Sequence, residues 1–110
     1  MDNLESKLQQ LHKKMKENPE HIEEMDANFS FDIKDTDQQW SVKFNSNEVE
    51  LQDGLLDGAT CTLKMDASHF EKLLDGQLNA TTAFMMGKIK AEGDLTKAMK
   101  LQKVLSNYQG

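Results

Sequence analysis

Residues 76–105 read GQLNATTAFMMGKIKAEGDLTKAMKLQKVL, and their punctuation lays out three elements. Asn79 is placed to cap a short helix over 79–86, its side-chain oxygen accepting an orphan N–H of the first turn. Gly87 follows Phe84-Met85-Met86 at the C′ position, where only a residue without a β-carbon turns left-handed cheaply. Residues 88–92 alternate polar and apolar, the period of a half-buried strand. Asp94 caps a last helix over about 94–107, with Leu95, Ala98, Met99, Leu101, Val104, Leu105 and Tyr108 as its apolar arc. Soft apolar side chains turned one way by three successive elements predict a wall around an apolar interior.

Upstream, Asp66 precedes Ser68-x-x-Glu71, a capping-box pattern opening a helix with Phe70, Leu73 and Leu74 inward and Gly76 at its end. Four earlier runs alternate with period two. Their apolar members are Phe29, Phe31 and Ile33; Trp40, Val42 and Phe44; Val49 and Leu51; and Ala59, Cys61, Leu63 and Met65. Such strands pack one sheet face and wet the other, the antiparallel habit. Asp35-Thr36-Asp37, Asn45-Ser46-Asn47, Asp53-Gly54 and Asp57-Gly58 are turn signals, so residues 28–52 read as a meander. Leu4, Leu8, Leu11 and Met15 form the stripe of a one-sided helix over 3–16, ended by Asn18-Pro19. An acidic connector, 19–27, is anchored by Ile22 and Met25. The expected fold is α+β, a five-stranded mostly antiparallel sheet with helices covering one face, in a single domain over 1–110.

The opening stretch also resembles the C-terminal half of the sterol carrier protein 2 domain family. The match is Phe84-Met85-Met86-Gly87-Lys88-Ile89-Lys90, then Gly93-Asp94 and Ala98-Met99-Lys100-Leu101. Asn18-Pro19-Glu20-x-Ile22 and residues 66–76 fit it too, so the resemblance runs along nearly the whole chain. It implies strand order 3-2-1-4-5, with a helical crossover between the fourth and fifth strands. It further implies a tunnel between sheet and helices that takes a fatty acid, acyl-CoA, phospholipid or sterol-like ligand.

Composition bounds these expectations. The chain has 110 residues, 37% hydrophobic and 29% charged, with seven Met and five Phe against one Trp and one Tyr. That length forms one domain with a sizeable core. No apolar run is long enough to span a membrane, and no basic-then-apolar leader opens the chain, so a cytoplasmic protein is expected. The last residues, Asn-Tyr-Gln-Gly, are not a peroxisomal Ser-Lys-Leu address. Taken with the resemblance, a short form without that address points to a bacterial source and to acyl or phospholipid ligands over sterols. A single cysteine makes no internal disulfide.

Net charge is −6, but residues 1–86 hold 17 acidic and 8 basic groups, whereas 87–110 hold 2 acidic groups and 5 Lys. All 13 basic residues are Lys, so no bidentate fork serves phosphate or base recognition, and no nucleic-acid partner is expected. Lys88, Lys90, Lys97, Lys100 and Lys103 have two readings: a solvated face, or a surface for transient contact with an anionic membrane or CoA phosphates.

Catalytic constellations are sparse. His12, His21 and His69 read as surface or boundary residues. His21, Glu23, Glu24 and Asp26 lack the spacing of a metal site. Asp32, Asp35 and Asp37 lack the glycine and distal glutamate of a calcium loop. Cys61 alternates into the core, where a thiol is inert. Gly87-Lys88 fails the phosphate-loop pattern. No catalysis, cofactor or metal is expected.

The positive candidate is an apolar ligand site. Its residues are Phe31, Ile33, Trp40 and Val42 on the sheet and Ile89 in the fifth strand. From the helices come Phe70, Leu74, Leu78, Phe84, Met85, Met99, Leu101 and Leu105. Such stripes ordinarily interdigitate as a core. Against that, the methionines are adaptable fillers, and helix 79–86 is short and rich in small residues, as a lid would be. Gln77, Asn79, Thr81 and Thr82 are the candidates to meet a polar head group. The reading is a carrier without catalysis, a monomer or weak dimer. The alternative is a dimerisation or partner-interaction module with a closed core and no ligand.

Overall fold

The alternating runs pair as their periodicity requires. In the computed structural model, which describes residues 3–23, 25–46 and 48–108, β1 (Asp26–Ile33), β2 (Gln38–Asn45) and β3 (Glu48–Asp53) form an antiparallel meander. Phe31 lies opposite Trp40, Phe29 opposite Val42, and Phe44 opposite Val49. Large apolar side chains therefore share one face and stack across strands. β4 (Cys61–Met65) returns parallel to β1, with Phe29 opposite Cys61 and Ile33 opposite Met65. β5 (Lys90–Gly93) closes the far edge antiparallel to β4. The order is β3-β2-β1-β4-β5, as the resemblance implied, with one parallel pair.

The helices are α1 (Asn3–Glu17), α2 (Ala67–Leu74), α3 (Ala80–Met85) and α4 (Leu95–Ser106), with a 3-10 turn over Pro19–Ile22. α2 and α3 make the crossover from β4 to β5. One apolar core joins the α1 stripe, the inward sheet face and the inner sides of α2 and α4.

Several boundaries differ from the sequence reading, each for a local reason. β4 starts at Cys61 because Thr60 is engaged elsewhere: its Oγ1 accepts the Asn28 N–H at 3.0 Å and its carbonyl accepts the Asp94 N–H at 3.0 Å. β5 starts at Lys90 because the Lys88 and Ile89 N–H groups both turn back to the Ala83 carbonyl, at 2.9 and 3.4 Å. The cap of α2 is Asp66 rather than Ser68, since Asp66 Oδ1 accepts the His69 N–H at 2.9 Å. Asn79 and Asp94 cap α3 and α4 as expected.

The expected wet face is covered over β1 and β2. Ser30 and Ser41 are fully buried there, their hydroxyls 2.9 Å apart. Residues 54–56 fold across them: Ser41 Oγ donates to the Gly54 carbonyl, and the Leu56 N–H donates to Ser30 Oγ at 3.0 Å. Asn47, in the turn signal after β2, lies outside the described residues.

Candidate functional site

A small apolar cavity lies between α1 and the sheet. α1 supplies Leu8, Leu11, His12 and Met15. The sheet supplies Phe31 from β1, Val42 and Phe44 from β2, and Val49 and Leu51 from β3. Leu74 of α2 and Leu101 and Leu105 of α4 complete the wall. The void measures about 20 Å³, room for little more than one water, and lining of this kind favours no water.

Ten of the twelve lining residues are buried; His12 and Leu51 are the half-buried pair. The mouth therefore lies between α1 and the edge strand β3. His12 is the one polar side chain in that lining, among the described residues. Its Nε2 lies 3.0 Å from the Val49 carbonyl oxygen. A carbonyl only accepts, so Nε2 carries the proton and donates it.

Five of the residues expected at a ligand site meet here: Phe31, Val42, Leu74, Leu101 and Leu105. Ile33, Trp40 and Phe70 are buried beside them without lining the void. The Trp40 ring stacks on Phe70, and Phe70 tilts against Phe31 with ring centroids 5.1 Å apart. Leu78 and Ile89 are core residues away from the cavity, and Phe84 and Met99 are half-buried.

Met85 does not face inward. It stands 83% exposed and Met86 65%, because the inward side of six-residue α3 is taken by Ala80 and Ala83. Leu95, expected in the arc of α4, is likewise 50% exposed. The head-group candidates Gln77, Asn79, Thr81 and Thr82 are exposed and line no part of the cavity. α3 is also tied down: Gln102 Nε2 donates to the Leu78 carbonyl at 2.7 Å, and its Oε1 accepts the Ala80 N–H at 3.2 Å.

The sequence reading missed Leu8, Leu11, His12, Met15, Phe44, Val49 and Leu51 as lining. The α1 stripe was the available signal, but a stripe gives a face without saying what it covers. α1 reaches α2 through Lys7, whose Nζ lies 2.7 and 2.9 Å from the two Asp75 carboxylate oxygens.

Several reactive groups elsewhere have partners or are shielded. Burial pushes the Cys61 thiol up, helped by the negative charge of Asp94. Asp66 is held below the ordinary carboxylate range by the His69 backbone N–H and then by the His69 side chain, whose Nδ1 lies 2.6 Å away. His21 meets Tyr108 edge-on, with ring centroids 5.3 Å apart. Asp35 Oδ1 accepts the Ala67 N–H at 2.8 Å, tying that turn to α2. Among the described residues no three of His, Cys, Asp or Glu gather as metal ligands; Glu24 lies outside them. No described helix is long and apolar enough to cross a membrane. Lys88, Lys90 and Lys103 are exposed, and Lys97 and Lys100 half-buried.

Residues 7–106 match the family described as the SCP-2 sterol transfer family. The chain is 30% identical over 100 residues to sterol carrier protein 2 of Homo sapiens, an alignment covering 86% of this chain and 18% of the human protein. It is 37% identical over 51 residues to a fatty acid-binding protein of Yarrowia lipolytica, covering 46% of this chain and 40% of that one. Among solved structures, sterol carrier protein 2 from Yarrowia lipolytica in its apo form superposes with a TM-score of 0.69 at 27% identity. That superposition covers 90% of this chain and 79% of the other. The chain thus spans less than a fifth of the length of its human relative.

Proposed function

The chain belongs to the SCP-2 sterol transfer family, and from that premise we propose that it binds a single-chain lipid in the cavity under α1 and transfers or presents it without catalysis. The observation that carries this reading is the apolar lining with one half-buried mouth at His12 and Leu51. Pockets for such ligands measure roughly 300–1,000 Å³, so the void of about 20 Å³ is the closed state. Binding moves α1 away from the sheet. The ligand replaces the contacts α1 gives up, and ten buried methylenes supply roughly 8 kcal/mol toward opening. The half-buried Lys7–Asp75 pair opposes this only modestly, since an ion pair still in contact with solvent contributes on the order of 1 kcal/mol. A fatty acyl ligand agrees with the Yarrowia lipolytica relative named as a fatty acid-binding protein.

The carrier acts in the cytoplasm of a bacterial cell, as a monomer or weak dimer. It meets its donor or acceptor at an anionic bilayer. Met85, Met86 and Leu95 offer exposed apolar side chains, and Lys88, Lys90 and Lys97 follow them closely in the chain. Each lysine near an anionic surface adds about 1 kcal/mol of attraction.

A second reading has one observation in its favour. The interior is nearly filled, which suits an interaction module with a closed core. The deciding experiment is titration with palmitate, palmitoyl-CoA, lysophospholipid and cholesterol, followed by thermal shift and native mass spectrometry. Saturable one-to-one binding by an acyl ligand supports the carrier. Silence across the panel, with no lipid extracted from the purified protein, supports the module.

A further inference from the structure

We propose that His12 is the head-group residue of this site, and that it selects single-chain lipids with a free carboxylate. The inference rests on the carrier reading and deepens it. His12 lies on the same side of α1 as Leu8, Leu11 and Met15, at the mouth of a cavity with no other polar side chain in its lining, among the described residues. An acyl chain inserted into that lining leaves its head at the mouth, beside the imidazole.

The imidazole is already committed to a donor role. Nε2–H is spent on the Val49 carbonyl, 3.0 Å away on the edge strand. That bond joins α1 to β3 across the gap a ligand must widen. When α1 moves off β3, the bond breaks and Nε2–H faces the mouth without its acceptor. A buried or half-buried donor left unpaired is costly, and a carboxylate oxygen is a stronger acceptor than the carbonyl it replaces. The same group therefore latches the closed state and receives the head in the open one.

The surrounding charges permit an anion. Lys16 stands one turn further along α1, the i,i+4 neighbour of His12. Glu48 and Glu50 flank Val49, but strand alternation sends them to the opposite face from Val49 and Leu51. The head-group candidates on and before α3 have no part in this arrangement.

The test compares cis-parinaric acid with its methyl ester, read by the probe's own fluorescence, on wild type, His12→Ala and His12→Gln. A hydrogen bond to a charged acceptor corresponds to about tenfold or more in affinity. His12→Ala is expected to weaken the acid about tenfold or more and the ester less than about threefold. His12→Gln keeps an N–H donor and is expected to recover most of the acid's affinity. Equal loss for acid and ester, or no loss for either in a folded variant, overturns the head-group assignment and leaves the carrier intact. A wild type that binds neither probe overturns both. Should the alanine variant not fold, the ¹⁵N resonance of His12 Nε2 in wild type decides: it shifts with the acid more than with the ester, and an unmoved resonance overturns the assignment.

Discussion

The Trp40 indole stacks on the Phe70 ring with centroids 5.6 Å apart and planes 13° from parallel. Phe70 in turn touches Phe31, which lines the cavity, so the single tryptophan is two aromatic contacts from the void. An acyl chain that displaces Phe31 disturbs this stack. Saturating palmitate is expected to change Trp40 emission along the same isotherm that calorimetry gives. An emission unchanged while calorimetry reports binding places the ligand away from Phe31.

Gly93 and Gly54 both have positive φ, yet substitution is expected to cost them differently. A β-carbon on Gly93, at φ +110°, would stand 2.3 Å from the Thr60 carbonyl oxygen, the group that accepts the Asp94 N–H. Gly93→Ala therefore adds a backbone clash to an unfavourable conformation and loosens the start of α4, at about 2–5 kcal/mol. At Gly54, with φ +87°, a β-carbon meets nothing within 4 Å, so only the conformational cost of about 1–2 kcal/mol applies. Urea unfolding of the two variants checks this; equal losses contradict it.

Asp66 titrates below the ordinary carboxylate range, chiefly because its charged form accepts the His69 N–H. A depressed folded value means the cap stabilises the fold above the unfolded value, about 3.9. That contribution fades as pH falls through the folded value. Asp66→Asn keeps a capping side chain and removes the titration. The stability of wild type relative to Asp66→Asn is expected to fall between pH 6 and pH 3, measured by urea unfolding at each pH. A pH-independent difference contradicts it.

Met85 and Met86 carry surface without supporting the core, being 83% and 65% exposed. Changing both to Gln is expected to leave the unfolding midpoint nearly unchanged while weakening cosedimentation with phosphatidylserine vesicles several-fold. Undiminished vesicle binding moves the membrane contact to another face.

Much of the fold was legible because local chemistry wrote it. Period-two runs gave the strands, and Asn79 and Asp94 declared their helices through side-chain oxygens that reach only two or three residues. What was not legible depends on groups distant in the chain. Ser30 and Ser41 look like outward polar residues until residues 54–56 fold over them. Over the six residues of α3 the helical period is too short to say that Met85 points outward. The cavity was half visible. Phe31, Val42, Leu74, Leu101 and Leu105 were named from their stripes, but the contribution of α1 depends on its packing across β3, which its own pattern does not encode.

Methionine methyl resonances offer the most direct test that the ligand enters under α1. Met15 lines the cavity, whereas Met85 and Met86 are exposed and line no part of it. In a protein labelled with ¹³C-methyl methionine and titrated with palmitate without membranes, the Met15 signal is expected to shift saturably while those of Met85 and Met86 stay in place. Shifts at Met85, Met86 and Met99 with Met15 unmoved would contradict the account and put the ligand beneath α3.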